Sequence, residues 1–565
     1  MNSYDIFKKL TKGIKFDHKR FKDDFRKLGL EQPSSAVASN TLSLAEQQEE
    51  EHTGEHQGGE GGKARSKKKK KKNAQNDPQK QLMLQQQEIR RRRRQLGIQV
   101  WGPDVPAPLE KFSQLDTEHS VNSKLVANLE AQGHSVPTPV QAQAWPLMLQ
   151  RRHILASAPT GSGKTAAFLI PLLQGLGGPR KKGFRAVILA PTRELASQIH
   201  RECVRLGEGL GIRAVIIANV SKAKQKYGPQ SSQKFGECCV QSSGYLNPEL
   251  GDLLVTTPNR LVHLLKESVE GPPLSLANVE WLVVDESDRL FEDGQRGFRD
   301  QLAAVYQACT GPSVTQALFS ATFAQSVQDW CRLNLHNLAM VSVGLRNSAS
   351  EDVEQHLQFC GSEGGKLHAL RDILRKGYEP PVLLFVQSKE RAKELFRELI
   401  YDNITVDAIH ADRTQKQRDN VVAAFREGKI WVLICTELMS RGVDFKGVNL
   451  VINYDFPPSA VSYIHRVGRT GRAGRRGQAV TFWTMEDRPR LRRIAQVVQS
   501  SGQQVPQWML DLKKPGRKEK KRQTTQQPER GHVSRAVQHE TVEKRRKKQK
   551  LEKRKRMKIE GSEAA

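Results

Sequence analysis

The stretch Ala158-Pro159-Thr160-Gly161-Ser162-Gly163-Lys164-Thr165 follows a short run, His153 to Ala156, and leads into an apolar one, Ala166 to Leu173. A strand, a glycine-rich turn and a helix start in that order make a phosphate cradle. Backbone N–H groups at Gly161 and Gly163 approach phosphate oxygens with no Cβ in the way, and the new helix turns the positive end of its dipole towards them. Lys164 would then reach the β and γ phosphates, and Thr165 would hold Mg²⁺. The usual first glycine of this pattern is Ala158 here. A ligand-free glycine-rich βα turn has the same local appearance, so the rest of the chain decides.

On either side of the stretch, short unbroken apolar runs alternate with helical patterns. Val187 to Ala190, Leu253 to Thr256, Trp281 to Val284 and Ala317 to Ser320 form one series; Val382 to Val386, Trp431 to Ile434, Leu450 to Asn453 and Ala479 to Phe482 form another. Strands buried on both faces of a parallel sheet have this composition. Two series imply an α/β protein with two lobes, 101–345 and 352–500.

The chain has 565 residues and a formal net charge of +30. Residues 1–98 carry net +10 and residues 513–565 net +13, so the 414 residues between hold only +7. Blocks such as Lys67 to Lys72, Arg90 to Arg94 and Lys544 to Lys548 repel themselves and bury no apolar surface, so both ends are expected to be disordered polycationic arms. Nucleic acid or a nuclear import receptor is their natural partner. Within the first arm, residues 1–30 place Ile6, Phe7, Leu10, Ile14, Phe16, Phe21, Phe25 and Leu28 at the spacing of one or two short amphipathic helices, a candidate docking segment. The seven cysteines form no Cys-x-x-Cys pair and no zinc spacing, as in a reduced intracellular protein. No stretch approaches the length of a membrane span, and nothing calls for an obligate oligomer.

Two charged clusters narrow the chemistry. Trp281 to Leu290 runs from a strand into Asp285-Glu286-Ser287-Asp288. Acids at the carboxyl edge of a sheet that also carries a phosphate loop sit beside the γ phosphate, where Asp285 would hold Mg²⁺ and Glu286 would orient the attacking water. His465-Arg466-Val467-Gly468-Arg469-Thr470-Gly471-Arg472 supplies four basic side chains in eight residues. Such a cluster serves either as a nucleic-acid patch or as the donor to charge developing on the γ phosphate. Arg441-Gly442-Val443-Asp444 adds a further charged cluster after a strand, which suggests a nucleotide sandwiched between the lobes.

In that order these motifs resemble those of the DEAD-box ATP-dependent RNA helicases, over roughly residues 112 to 500. The resemblance implies two RecA-like lobes, with Phe112, Gly133, Pro137, Thr138 and Gln141 in an adenine-sensing motif and Ala158, Thr160, Gly161, Ser162, Gly163, Lys164 and Thr165 around the phosphates. It implies a catalytic set of Lys164, Asp285, Glu286, Arg469 and Arg472, the last two as arginine fingers, with Asp444 on the ribose. Ser320-Ala321-Thr322 resembles the element that couples hydrolysis to strand separation, through Asp288. Thr192, Arg193, Thr257 and Arg260 in the first lobe, and Gln387, Ser388, Gln415, Arg418 and Thr436 in the second, resemble RNA contacts. Such contacts go to phosphates and 2′-hydroxyls, so binding is expected to be largely sequence-independent.

The sequence departs from the family pattern at three places. Ser287 replaces an alanine, His134 stands where an aromatic or apolar residue is usual, and residues 236–251, with Cys238 and Cys239, look like an insertion. The acidic turn followed by Phe291-Glu292-Asp293-Gly294, with the Tyr4 to Phe25 segment, most resembles the nucleolar branch acting in small-subunit ribosome assembly. That branch implies pre-rRNA and ribosome assembly factors as partners and a nucleolar location. The alternatives are an ATP-gated RNA clamp that anchors assembly factors with little unwinding, and a DNA helicase with the same ATP chemistry.

Overall fold

The computed structural model describes residues 78–180, 183–217, 223, 251–266, 274–290, 298–322, 325–345, 348–437, 445, 447–472, 474–516, 528 and 530–533. The docking segment expected within residues 1–30, Phe291 to Gly294, Asp444 with its cluster, and nearly all of the 236–251 insertion lie outside them.

The first lobe is an eight-stranded sheet of β1 (Ile98–Trp101), β2 (Ile154–Ser157), β3 (Ala186–Leu189), β4 (Ala214–Ile216), β5 (Leu253–Thr256), β6 (Trp281–Val284), β7 (Thr315–Ser320) and β8 (Ala339–Val343). Its order is β1-β8-β2-β7-β6-β3-β5-β4. Only β1 runs antiparallel, paired with β8; the other ladders are parallel. The unbroken apolar runs follow from burial on both faces. Ala186 and Ile188 of β3 feed one core cluster, and Val187 and Leu189 feed the other.

The second lobe is a six-stranded parallel sheet of β9 (Val353–Phe359), β10 (Val382–Phe385), β11 (Val406–Ile409), β12 (Val432–Cys435), β13 (Leu450–Asn453) and β14 (Gly477–Trp483). Its order is β11-β12-β10-β13-β14-β9. Strands of the two expected series fall within a residue or two of their observed places. Edge strand β9 has no unbroken apolar run, because its residues alternate between buried and exposed at first and are only half-covered beyond.

This order places the chemistry. Because β7 lies between β2 and β6, the phosphate loop after β2, the Ser-Ala-Thr turn after β7 and the acidic turn after β6 share one edge of the sheet. Ala158 N–H donates to Ser320 O at 3.1 Å across that edge. Carboxyl ends of parallel strands are where open α/β sheets bind ligands.

The expected borders of the arms need correction. Pro78–Gln95 is helical, and Arg93 donates to Val105 O, Pro106 O and the Gln143 amide oxygen, so the lobe begins well before residue 98. The second lobe continues past residue 500 to the helix Gln507–Leu510, whose Met509 is buried. Part of the basic tail, Pro528 and Arg530 to Val533, also lies against it. An arginine in a basic segment that finds carbonyl or carboxylate partners, as Arg93 and Arg530 do, is hidden from a reading by composition, and the four-residue helix Gln507–Leu510 is too short to leave a pattern. Among the described residues no helix is long and apolar enough to cross a membrane.

Candidate active site and interlobe cleft

The phosphate loop takes its shape from two glycines in the left-handed region, Gly161 at φ +78° and Gly163 at φ +88°. A Cβ on Gly163 would lie 2.6 Å from Gln141 Nε2. That crowding reflects a lock between two motifs. The Gln141 amide is fully buried, accepts from Thr138 N–H at 3.0 Å and donates to Gly163 O at 3.2 Å. Phe112 packs beneath the same motif, its ring 5.8 Å from that of Trp145. The helix Lys164–Leu176 starts directly after the loop. Lys164 Nζ donates to Ala158 O at 2.7 Å and Pro159 O at 2.9 Å. Burial pushes its pKa down to about 8, against the pull of Asp285, Glu286 and Asp288.

Asp285 and Glu286 are buried at the end of β6. Burial, and then the Glu286 carboxylate, raise the Asp285 pKa to about 7. A carboxylate in this position is held ionised most readily by a cation. Glu286 has φ +49°, a strained value for a side-chain-bearing residue, and its Oε2 is buried with no hydrogen-bond partner, as is Ser162 Oγ. These orphaned oxygens beside the phosphate loop fit a nucleotide with Mg²⁺. Among the described residues no group of three or more His, Cys, Asp or Glu is gathered as a metal site.

The second lobe closes on this edge. Thr160 Oγ1 donates to Gly468 O at 2.9 Å, and a Cβ on Gly468 would collide with Thr160 Oγ1 at 1.8 Å. A Cβ on Gly161 would lie 2.9 Å from Arg472 Cγ, so Arg472 lies over the phosphate loop. Arg472 Nε donates to Gly468 O and Arg469 Nε to His465 O. Asp288 Oδ2 accepts from Thr322 Oγ1 at 2.9 Å and lies 2.8 Å from His465 Nε2. Thr322 N–H is held in turn by Ser320 Oγ at 3.1 Å.

The expected RNA contacts divide into groups. A cavity of about 400 Å³ between the lobes is lined by Thr192 on one side and Gln387, Ser388 and Thr436 on the other. Thr192 and Ser388 cap the helices Arg193–Leu206 and Lys389–Tyr401. Thr436 Oγ1 is buried without a partner. Arg418 instead bridges the lobes through Glu194 at 3.1 Å, and its guanidinium donates to Gln415. Arg260 donates to Ile217 O, and burial followed by nearby Arg193 lowers its pKa to about 10. Thr257, buried, begins the same turn.

Sequence reasoning missed three groups here. In the sequence His465 and Arg466 are members of a basic cluster, yet both are buried. Arg466 pairs with Glu437 at 2.6 Å, lies over the Phe385 ring and lines the cavity. Arg289 and Arg490 also line it. The apolar neighbours Tyr463, Ile464 and Val467 on either side of His465 and Arg466 were the available signal for the first pair; the others had none.

Residues 138–330 match the DEAD/DEAH box helicase family and residues 365–474 the helicase conserved C-terminal domain. The chain is 57% identical over 425 residues to Probable ATP-dependent RNA helicase DDX52 of Mus musculus, covering 75% of this chain and 68% of that one. To ATP-dependent RNA helicase ROK1 of Eremothecium gossypii it is 39% identical over 431 residues, 75% and 72% of the two chains. The fold is similar to that of S. cerevisiae Dbp5 bound to RNA and ADP BeF3, with TM-score 0.57 and 25% identity over 69% of this chain and 94% of that one. With a phosphate loop, an acidic strand end and an arginine-bearing second lobe meeting at one seam, the chain belongs to the DEAD-box family of ATP-dependent RNA helicases.

Proposed function

We propose that this helicase separates short strands of pre-rRNA during assembly of the small ribosomal subunit, acting in the nucleolus beside ribosome assembly factors. Lys164 and the loop N–H groups hold the triphosphate, and Gln141 ties the adenine-sensing motif to that loop. Glu286 orients the attacking water. Arg469 and Arg472 stabilise charge developing on the γ phosphate as the lobes close, and Asp444 takes the ribose. Thr165 and Asp285 would hold Mg²⁺, which when bound neutralises charge on the phosphate oxygens. Thr192, Arg193, Thr257, Arg260, Gln387, Ser388, Gln415, Arg418 and Thr436 grip one strand through its backbone.

The observation that carries the coupling is Asp288, which serves Thr322 in its own lobe and His465 in the other with one oxygen. Nucleotide-dependent closure therefore moves the RNA-facing groups of both lobes together. The ribosomal assignment is supported by the similarity of the acidic turn and Tyr4 to Phe25 to the nucleolar branch, and by arms of net +10 and +13. Crosslinking the full chain to RNA in cells and sequencing the sites tests it. Enrichment over small-subunit pre-rRNA is expected, and sites spread over messenger RNA with no pre-rRNA peak would remove the assignment.

A further inference from the structure

Pro528 and Arg530 to Val533 are built into the second lobe. The Arg530 side chain is 1% exposed and reaches Asp487 at 2.6 Å, Glu363 at 2.9 Å and Asp455 at 3.7 Å. Gly531 O accepts from Arg391 at 2.6 Å. Val533 is buried in the cluster built on Leu370 and Leu384, and its N–H donates to Glu394 at 2.9 Å.

Charge balance explains why this segment belongs there. Glu363, Asp455 and Asp487 bring three carboxylates, and Lys366 and Arg391 answer two of them. Arg530 is the third cation. Without it the buried Asp487 would lose this ion pair and keep Arg490 as its nearby cation, behind the wall of the interlobe cavity, a costly arrangement in itself and a less favourable one for phosphate.

The same arginine reaches that wall. Arg530 Nε donates to Gln387 Oε1 at 2.9 Å, and Gln387 Nε2 donates to Pro528 O at 2.9 Å. The Gln387 backbone N–H is fixed by Asp455 Oδ2 at 2.8 Å. Both ends of the Gln387 amide are thus set by the tail, and Gln387 and Pro528 line the cavity side by side. Its Nε2 still has one N–H beyond the bond to Pro528.

We propose that Arg530 is a positioning residue for RNA binding: it seats residues 528–533 in the second lobe, neutralises the acidic pocket behind the cavity and orients the Gln387 amide. This inference rests on the RNA role given to Gln387 above.

RNA-stimulated ATPase assays on the full chain with a single-stranded RNA oligonucleotide test both. Arg530→Ala should raise the RNA concentration for half-maximal rate about tenfold, the scale of one hydrogen bond to a charged group, with kcat at saturating RNA retained. Arg530→Lys, which keeps the charge but not the planar fork, should recover only part. Adding Gln387→Ala to Arg530→Ala should bring little further loss. Unchanged or tighter RNA binding by Arg530→Ala overturns the proposal, and so do fully additive losses. Gln387→Ala weakening RNA binding while Arg530→Ala does not would remove the positioning role and leave the RNA role standing. An inert Gln387→Ala would remove the RNA role itself. Should Arg530→Ala fail to fold, Val533→Ala loosens the same segment and must raise RNA half-saturation selectively; a loss confined to kcat overturns the proposal.

Discussion

His465 Nε2 lies 2.8 Å from Asp288 Oδ2 although the two residues are 177 positions apart, and both side chains are buried at the seam between the lobes. With Thr322 on the same oxygen, the pair ties the second lobe to the turn that follows Asp285 and Glu286. His465→Ala should therefore weaken RNA binding in the presence of a non-hydrolysable ATP analogue by roughly 10²-fold, as truncation of a buried polar pair across an interface does. Nucleotide binding by the first lobe alone should be untouched. Fluorescence anisotropy with labelled RNA reads the first, and nucleotide titration of the full-length variant without RNA the second.

Glu286→Gln keeps the shape of a side chain whose buried Oε2 has no partner, yet cannot accept a proton or orient water as well. Turnover should fall by about 10²- to 10⁴-fold while ATP and RNA still bind. Lys164→Ala should instead weaken nucleotide binding. Single-turnover ATPase measurements with parallel nucleotide titrations separate the two, and near-normal turnover by Glu286→Gln would remove the site assignment.

Asp455 supplies a pH prediction. Burial alone would raise its pKa, but Arg391, Lys366 and Arg530 outweigh it and hold the carboxyl below its ordinary 3.8, at about 2. A depressed folded-state pKa contributes stability that is present above 3.8 and is lost as pH falls towards 2, about 2 kcal/mol for this group. Urea unfolding followed between pH 6 and pH 2 should show that acid limb in the second lobe. Asp455→Asn should flatten it and cost about 3 kcal/mol at neutral pH, because buried cations lose their partner.

The arms should act as a sequence-independent tether, provided the docked segment is kept. Residues 1–77 carry net +5 and residues 534–565 net +7. Removing them should flatten the slope of log RNA affinity against log salt by about two units, at about −0.7 per single-strand phosphate neutralised. Maximal ATPase at saturating RNA should hold. An unchanged slope would leave the arms with an import role only.

The sequence alone determined the buried central strands of both sheets and the phosphate loop. Parallel strands such as Trp281 to Val284 are buried on both faces and must be apolar throughout, and a phosphate loop needs Gly161 and Gly163 where a Cβ would intrude; both demands act on neighbours in the chain and so leave local patterns. The tertiary structure alone decided which charges matter. Arg93 looks like every other residue of its basic run, Arg530 like one of the many basic residues of the tail, and His465 like one more member of a cationic cluster. Each becomes particular only through a partner far along the chain: Gln143, Asp487 and Asp288. Coulombic and hydrogen-bond pairing depends on distance in space and on the water excluded around the pair, and neither leaves a period in the sequence.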